Sequence, residues 1–138
     1  MLSLSAKTIY GLKATLFLAE HFDQGLLTIK DIATARNIPR QYLEQIFNQL
    51  GRAEIIRSVR GKYGGYQLAR SPGKIPIAEI VTALEGNIEL APDNNNPADA
   101  IQDLLKEAEE ALAKVFSLSL AGLVELSRKK RQIINFVI

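Results

Sequence analysis

Apolar residues recur at helical spacing in six stretches of the chain, and a pair of short β-prone runs interrupts them. From Ser5 to Phe22 the recurring positions are Ile9, Leu12, Leu16, Phe17 and Ala19, behind a serine able to cap the first turn, so a helix is expected there. Gly25 breaks it. Thr28-Ile29-Lys30-Asp31 sets an acid three residues after a threonine, close to a capping box, and opens a short helix with Ile29, Ile32 and Ala33 inward. A turn at Arg36-Asn37-Ile38 follows, and Pro39 suits the first turn of a new helix, where its missing N–H is no loss. Within Pro39 to Leu50, Leu43, Ile46, Phe47 and Leu50 form one stripe; Gly51 is the expected stop, with Arg52 and Ala53 as an alternative further turn. Two short helices joined by a three-residue turn predict a helix-turn-helix.

Ile55 to Arg60 and Tyr66 to Ala69 are β-prone, and Gly61-Lys62-Tyr63-Gly64-Gly65 between them supplies the glycines of a tight hairpin, which in this place would be a wing. Pro72, Gly73 and Pro76 punctuate the chain before a helix with Ile77, Ile80, Val81 and Leu84 inward and Gly86 at its end. Residues 87–97, with three asparagines in a row and two prolines, read as an exposed linker. From Ala98 to Phe116 the set Ile101, Leu104, Leu105, Ala108, Ala111, Leu112, Val115 and Phe116 is spaced by threes and fours, with acids opposite. Such a helix needs something to bury against, and the same helix of a second subunit is the obvious partner. Ser119 can cap a last helix that carries the basic run Arg128 to Arg131 and ends in Ile133, Ile134, Phe136 and Val137. The expected fold is mainly α with a small β-hairpin: a winged helix-turn-helix over residues 1–86, a linker over 87–97, and a dimerisation helix with a C-terminal helix over 98–138.

Composition narrows the possibilities. At 138 residues and 47% apolar, the chain supports one compact core. No apolar run approaches the roughly 18 residues of a membrane span, and Lys7 and Lys13 sit inside the first apolar pattern rather than ahead of it, so a cytoplasmic protein with no membrane partner is expected. With no cysteine and one histidine, disulfides, thiolate metal sites and thiol redox sensing are excluded in this chain, and no cofactor or metal is expected. The net charge of +2 conceals an asymmetry, since residues 1–80 carry a net +5 and the remainder a net −3. That split turns the first part toward a polyanion.

The third helix then presents Arg40, Gln41, Glu44, Gln45, Asn48 and Gln49 on its polar face. Amides pair a donor with an acceptor and match the N6/N7 edge of adenine, while Glu44 either accepts from cytosine N4 or is a solvated helix former. Arg57, Arg60, Lys62 and Arg70 cluster around the hairpin, where cations reach phosphates or a narrow minor groove, or else guard a strand edge. Tyr66 is expected to pack under the wing and Tyr63 to touch the DNA backbone. The glycine-rich tip lacks the spacing and the Lys-Ser/Thr ending of a phosphate loop. His21, without a second ligand, suits a helix end, and Asp103, Glu107 and Glu110 read as a solvated face, so no catalytic constellation stands out and an enzyme is not expected. The basic run is open to three readings: phosphate contacts, docking on the acidic fifth helix, or solvation.

Three stretches resemble the Rrf-two family of bacterial winged helix-turn-helix regulators, the family of the iron-sulfur cluster regulator, the nitric-oxide-sensing repressor and the cysteine-metabolism repressor. They are Lys7 to Leu12, Ile38 to Ile46, and Ile56 to Leu68 with its paired glycines; Val81 to Gly86 fits as well. The likeness covers roughly residues 1–90 in register. It implies a homodimer held by the fifth helix, through Ile101, Leu104, Leu105, Ala108, Leu112, Val115 and Phe116, on a roughly palindromic stretch of double-stranded DNA. Base reading would fall to Arg40, Gln41, Tyr42, Glu44, Gln45, Asn48 and Gln49. Backbone and minor-groove contact would fall to Thr28, Arg52, Arg57, Ser58, Arg60, Gly61, Lys62, Tyr63, Gly64, Gly65 and Arg70. Cluster-binding members carry cysteines where this chain reads Ala91 to Leu104, so no cluster site carries over. The cysteine-metabolism repressor, which responds to a biosynthetic enzyme, is the nearer pattern, and it makes a metabolic enzyme a further candidate partner and a partner-binding regulatory module the alternative function.

Overall fold

The computed structural model describes residues 2–93 and 95–137; Asn94 of the asparagine run and the side chains of Phe136 and Val137 at the apolar end lie outside the described residues. Six helices and one hairpin follow in the order α1 (Ala6–Glu20), α2 (Ile29–Arg36), α3 (Arg40–Arg52), β1 (Ile56–Val59), β2 (Gly65–Leu68), α4 (Ile77–Glu85), α5 (Ala100–Phe116) and α6 (Leu120–Val137), with a 3-10 turn at Pro72–Lys74.

Local chemistry explains most of these boundaries. Ser5 caps α1 by accepting the Thr8 N–H. Thr28 and Asp31 close a full capping box on α2, each side chain accepting the other's backbone N–H at 3.1 Å. The Thr28 N–H holds the Asp31 carboxyl below its ordinary range, so this cap is fully present at neutral pH and is lost only as pH falls through the lowered value. Asn37 ends α2 in the left-handed conformation, which asparagine tolerates. The third helix takes the longer of its two expected ends, running past Gly51 to Arg52, with Ala53 as cap and Pro39 just outside its start. Asp99 starts α5 and Ser119 starts α6, each accepting N–H groups of the first turn.

Ile32, Leu43, Ile46, Leu50, Ile80 and Leu84 are buried together with Ala14 and Leu18 of α1, so α1 is the central helix against which the helix-turn-helix and α4 pack. Gly11 permits the closest of these approaches, because a Cβ there would overlap Leu84 Cδ1. Strands β1 and β2 pair antiparallel, Ile56 with Leu68 through Val59 with Gly65, and Leu27 bonds both ways with Tyr66 on the open side of β2, giving the wing a third short rung.

The last helix returns to this body. Leu120 and Val124 are core residues, the Leu120 N–H donates to Ile75 and the Ile77 N–H to Leu118. Glu20, at the end of α1, receives Arg36 of α2 at 3.0 Å and Arg131 of α6 at 2.7 Å. One member of the basic run therefore docks on α1 rather than on α5, and Arg128 pairs with Glu125 within its own helix. Among the described residues, no helix is long and apolar enough to cross a membrane.

Candidate nucleic-acid interface

The face of α3 opposite its buried stripe carries Arg40, Gln41, Glu44, Gln45 and Asn48, all exposed. Two expected readers stand apart from that row. Tyr42 is half-buried against Tyr10, ring centroids 5.3 Å apart, and Gln49 is half-buried with its Oε1 enclosed and without a hydrogen-bond partner. Both sit at the margin of the exposed face.

A groove of about 340 Å³ runs between the second half of α3 and β1, bringing Asn48 and Arg52 of the helix together with Arg57 and Ser58 of the strand. Phe47 and Tyr66, 4.7 Å apart, form its floor, so Tyr66 packs under the wing as the sequence suggested. Across the hairpin, the Gln67 amide lies against the Arg57 guanidinium, and with its oxygen turned inward it accepts from Nε and Nη2 at 2.7 Å.

The wing tip holds Arg60, Gly61, Lys62 and Tyr63 in solvent, Tyr63 at 84% exposure with the Lys62 ammonium 5.7 Å from its ring. Gly61 has a φ of 128°, which favours glycine. The paired glycines have a steric reason of their own: a Cβ on Gly64 would overlap the Val59 carbonyl oxygen, and one on Gly65 would stand 2.8 Å from that of Leu27. At the other side of the helix-turn-helix, Thr28 is exposed at the start of α2.

Arg70 does not join this surface. Its guanidinium grips both oxygens of Glu79 at 2.6 and 3.2 Å and the carbonyls of Glu54 and Lys74, so its donors are used to tie the base of the wing to α4. The pair raises the Arg70 pKa and lowers that of Glu79, each chiefly through their mutual hydrogen bonds. Nothing local in the sequence signals this partnership, since Glu79 lies nine residues on in a different element. His21 caps α1, its Nδ1 against the Phe17 carbonyl at 2.9 Å.

The family model Rrf2, iron-dependent transcriptional regulator, matches residues 4–126. The chain belongs to the Rrf2 family. Its relatives include the slr0846 protein of Synechocystis sp., 33% identical over 99% of this chain and 100% of that one. The HTH-type transcriptional regulator CymR of Bacillus subtilis is 34% identical over 74% of this chain and 69% of its own. In structure, B. subtilis CymR, the global cysteine regulator, superposes with a TM-score of 0.83 at 33% identity, covering 91% of this chain and 98% of that one. The IscR of T. potens gives 0.77 at 31% identity, covering 91% and 88%. This Rrf2 member is thus a DNA-binding transcriptional regulator with a winged-helix fold, and not an enzyme.

The family description names iron, and the donor set of this chain does not suit an iron-sulfur cluster. There is no cysteine anywhere in the sequence. In the segment from Ala91 to Leu104, Asp93 is engaged by Lys106 at 2.6 Å and Asp99 caps α5. Among the described residues, no three histidine, cysteine or acidic side chains converge as a metal site.

The residues expected on the dimer seam fall on two faces of α5. Ile101, Leu104 and Val115 are 64–69% exposed, and with the exposed Ala111 and the half-buried Ala108 they form a 3-4-3-4 stripe on the outer side of α5. Leu105, Leu112 and Phe116 are half-buried, and Leu112 and Phe116 line a cavity against α4 of the same chain. In the sequence the two sets form one apolar pattern, which includes Ala111 although the seam implied by the resemblance does not; the alternating spacing was the available signal.

Proposed function

We propose that this Rrf2 regulator binds a roughly palindromic operator as a homodimer and does so without an iron-sulfur cluster. The observation that carries the reading is the row of exposed amides on α3 beside a groove with cations on both walls. Gln41 and Gln45 suit base edges in a major groove, and Arg52, Arg57, Ser58, Arg60 and Lys62 suit the phosphates alongside. A half-site set for each subunit follows from two-fold symmetry, and the outer stripe of α5 is the surface available for a second copy.

The test begins with an operator selected from random duplexes, followed by titrations at several salt concentrations. Gln45→Ala is expected to relax discrimination at one position of each half-site by roughly 1–3 kcal/mol with the salt slope kept. Lys62→Ala is expected to weaken all sequences alike and flatten the slope by about one unit per subunit. If Gln45→Ala ranks every operator variant as the unsubstituted protein does, α3 is not the reading element. Anaerobic incubation with iron and sulfide is expected to leave the protein colourless and its DNA affinity unchanged; a stoichiometric visible chromophore would overturn the cluster-free reading.

A second reading, a partner-binding module answering to a metabolic enzyme, is favoured by Leu126, Ile133 and Ile134, which stand 49–64% exposed on α6. DNA affinity without steep salt dependence would favour it over the first.

A further inference from the structure

The inward face of α5 does not close completely on α4. A cavity of about 160 Å³ lies between them, walled by Val81, Thr82, Ile88, Leu112 and Phe116, with Glu109 at its edge. It adjoins a second of about 380 Å³, which shares Ile88, Leu112 and Phe116 and reaches Leu4, Leu90 and the carboxylates of Glu85 and Glu89. The larger of the two falls in the range of small-molecule sites, and both walls are built mainly of aliphatic and aromatic side chains.

Every charged side chain lining the pair is a carboxylate. Two of the three are fixed in place by backbone groups: Glu85 Oε1 accepts the Ser5 N–H, and Glu109 Oε1 accepts the Leu90 N–H at 2.7 Å. Among the described residues, the second oxygen of each takes no hydrogen bond, and Lys106, one turn from Glu109, is held by Asp93 instead. Apolar walls beneath a rim of carboxylates, on which Lys106 acts at Glu109 only through space, suit one kind of occupant.

We propose that the space between α4 and α5 binds a small amphipathic cation, its apolar body among Ile88, Leu112 and Phe116 and its positive head at Glu85, Glu89 and Glu109. The site concerns residues outside the candidate DNA surface, and its test needs no DNA, so it stands or falls separately from the operator reading.

Isothermal titration of the full chain with 4-phenylbutylamine, 4-phenylbutanol and 4-phenylbutyrate separates charge from shape. The amine is expected to bind once per chain, at least about tenfold tighter than the carboxylate, with the alcohol between them. Glu109→Gln, whose amide oxygen can still accept from Leu90, is expected to bring the amine to within a few-fold of the alcohol. Ala78→Leu, which fills the smaller cavity, is expected to abolish binding of the amine, with the folded state checked by circular dichroism. If that variant does not fold, the double change Glu89→Gln and Glu109→Gln carries the test. Equal affinity for the three compounds, an amine preference that survives loss of the carboxylates, or no binding at millimolar amine because a second copy covers the site would each overturn the proposal.

Discussion

Leu104→Lys is expected to sediment as a monomer at micromolar concentration and to lose about 10²- to 10⁴-fold in operator affinity, the advantage that a linked second half-site confers. The side chain is 64% exposed in the single chain and belongs to the outward stripe of α5, so the substitution costs the isolated subunit little. In a symmetric seam it would place two ammonium groups opposite one another in an apolar contact, a burden on the order of several kcal/mol. Leu112→Lys is the control that gives this experiment its meaning. Leu112 faces α4 of its own chain, so its replacement is expected to lower the melting temperature of the subunit rather than to dissociate the dimer selectively. A Leu104→Lys protein that still sediments as a dimer would move the seam to another face.

Gly64→Ala is expected to weaken operator binding by on the order of 10- to 100-fold while leaving the melting temperature of the core nearly unchanged. The added methyl would overlap the carbonyl oxygen of Val59, which is backbone and cannot swing aside as a side chain would, so the tip carrying Arg60, Lys62 and Tyr63 must rebuild. Four cations across two wings would leave their phosphates, and the slope of log affinity against log salt should fall by about three to four units. Full affinity and an unchanged slope in this variant would take the wing off the DNA.

The helical periods of α3 and α4 were legible because each stripe faces one core. In α1, by contrast, the buried line is Thr8, Gly11, Ala14, Thr15 and Leu18, with Ile9 of the expected stripe exposed and Leu12 and Leu16 only half-buried. Caps such as Ser5, Thr28 and Ser119 use local chemistry that sequence spacing reports. The exposed amide face of α3 was legible for the same reason as its period, being the complement of its buried stripe. What spacing could not separate was which apolar residues of α5 serve its own chain. Leu104 and Leu105 are neighbours with the same side chain, and only the path of α4 and the returning segment decides that Leu104 points outward and Leu105 is half-covered. The partner of Arg70 was hidden on similar grounds: its charge and its place beside the hairpin resemble those of Arg57, and its capture by Glu79 depends on where α4 begins. The cavity between α4 and α5 had no signal at all, since its walls come from elements far apart in sequence and its carboxylates look like ordinary solvated acids.

The return of α6 has a consequence for how the protein is made. Leu120 and Val124 complete a core whose other members begin at Ala14, and Arg131 reaches Glu20 across 111 residues of chain. A ribosome that has delivered the helix-turn-helix and the wing has therefore not yet delivered a finished hydrophobic interior, and the half-built body must wait, with Ile75 and part of α1 uncovered, until α5 and the start of α6 have emerged. A fragment cut at residue 86 inherits that exposed surface permanently. The shortest self-sufficient unit is consequently longer than the DNA-binding motif it carries, and messages truncated within α5 are expected to yield chains that aggregate or are degraded rather than free-standing, dominant-negative DNA binders.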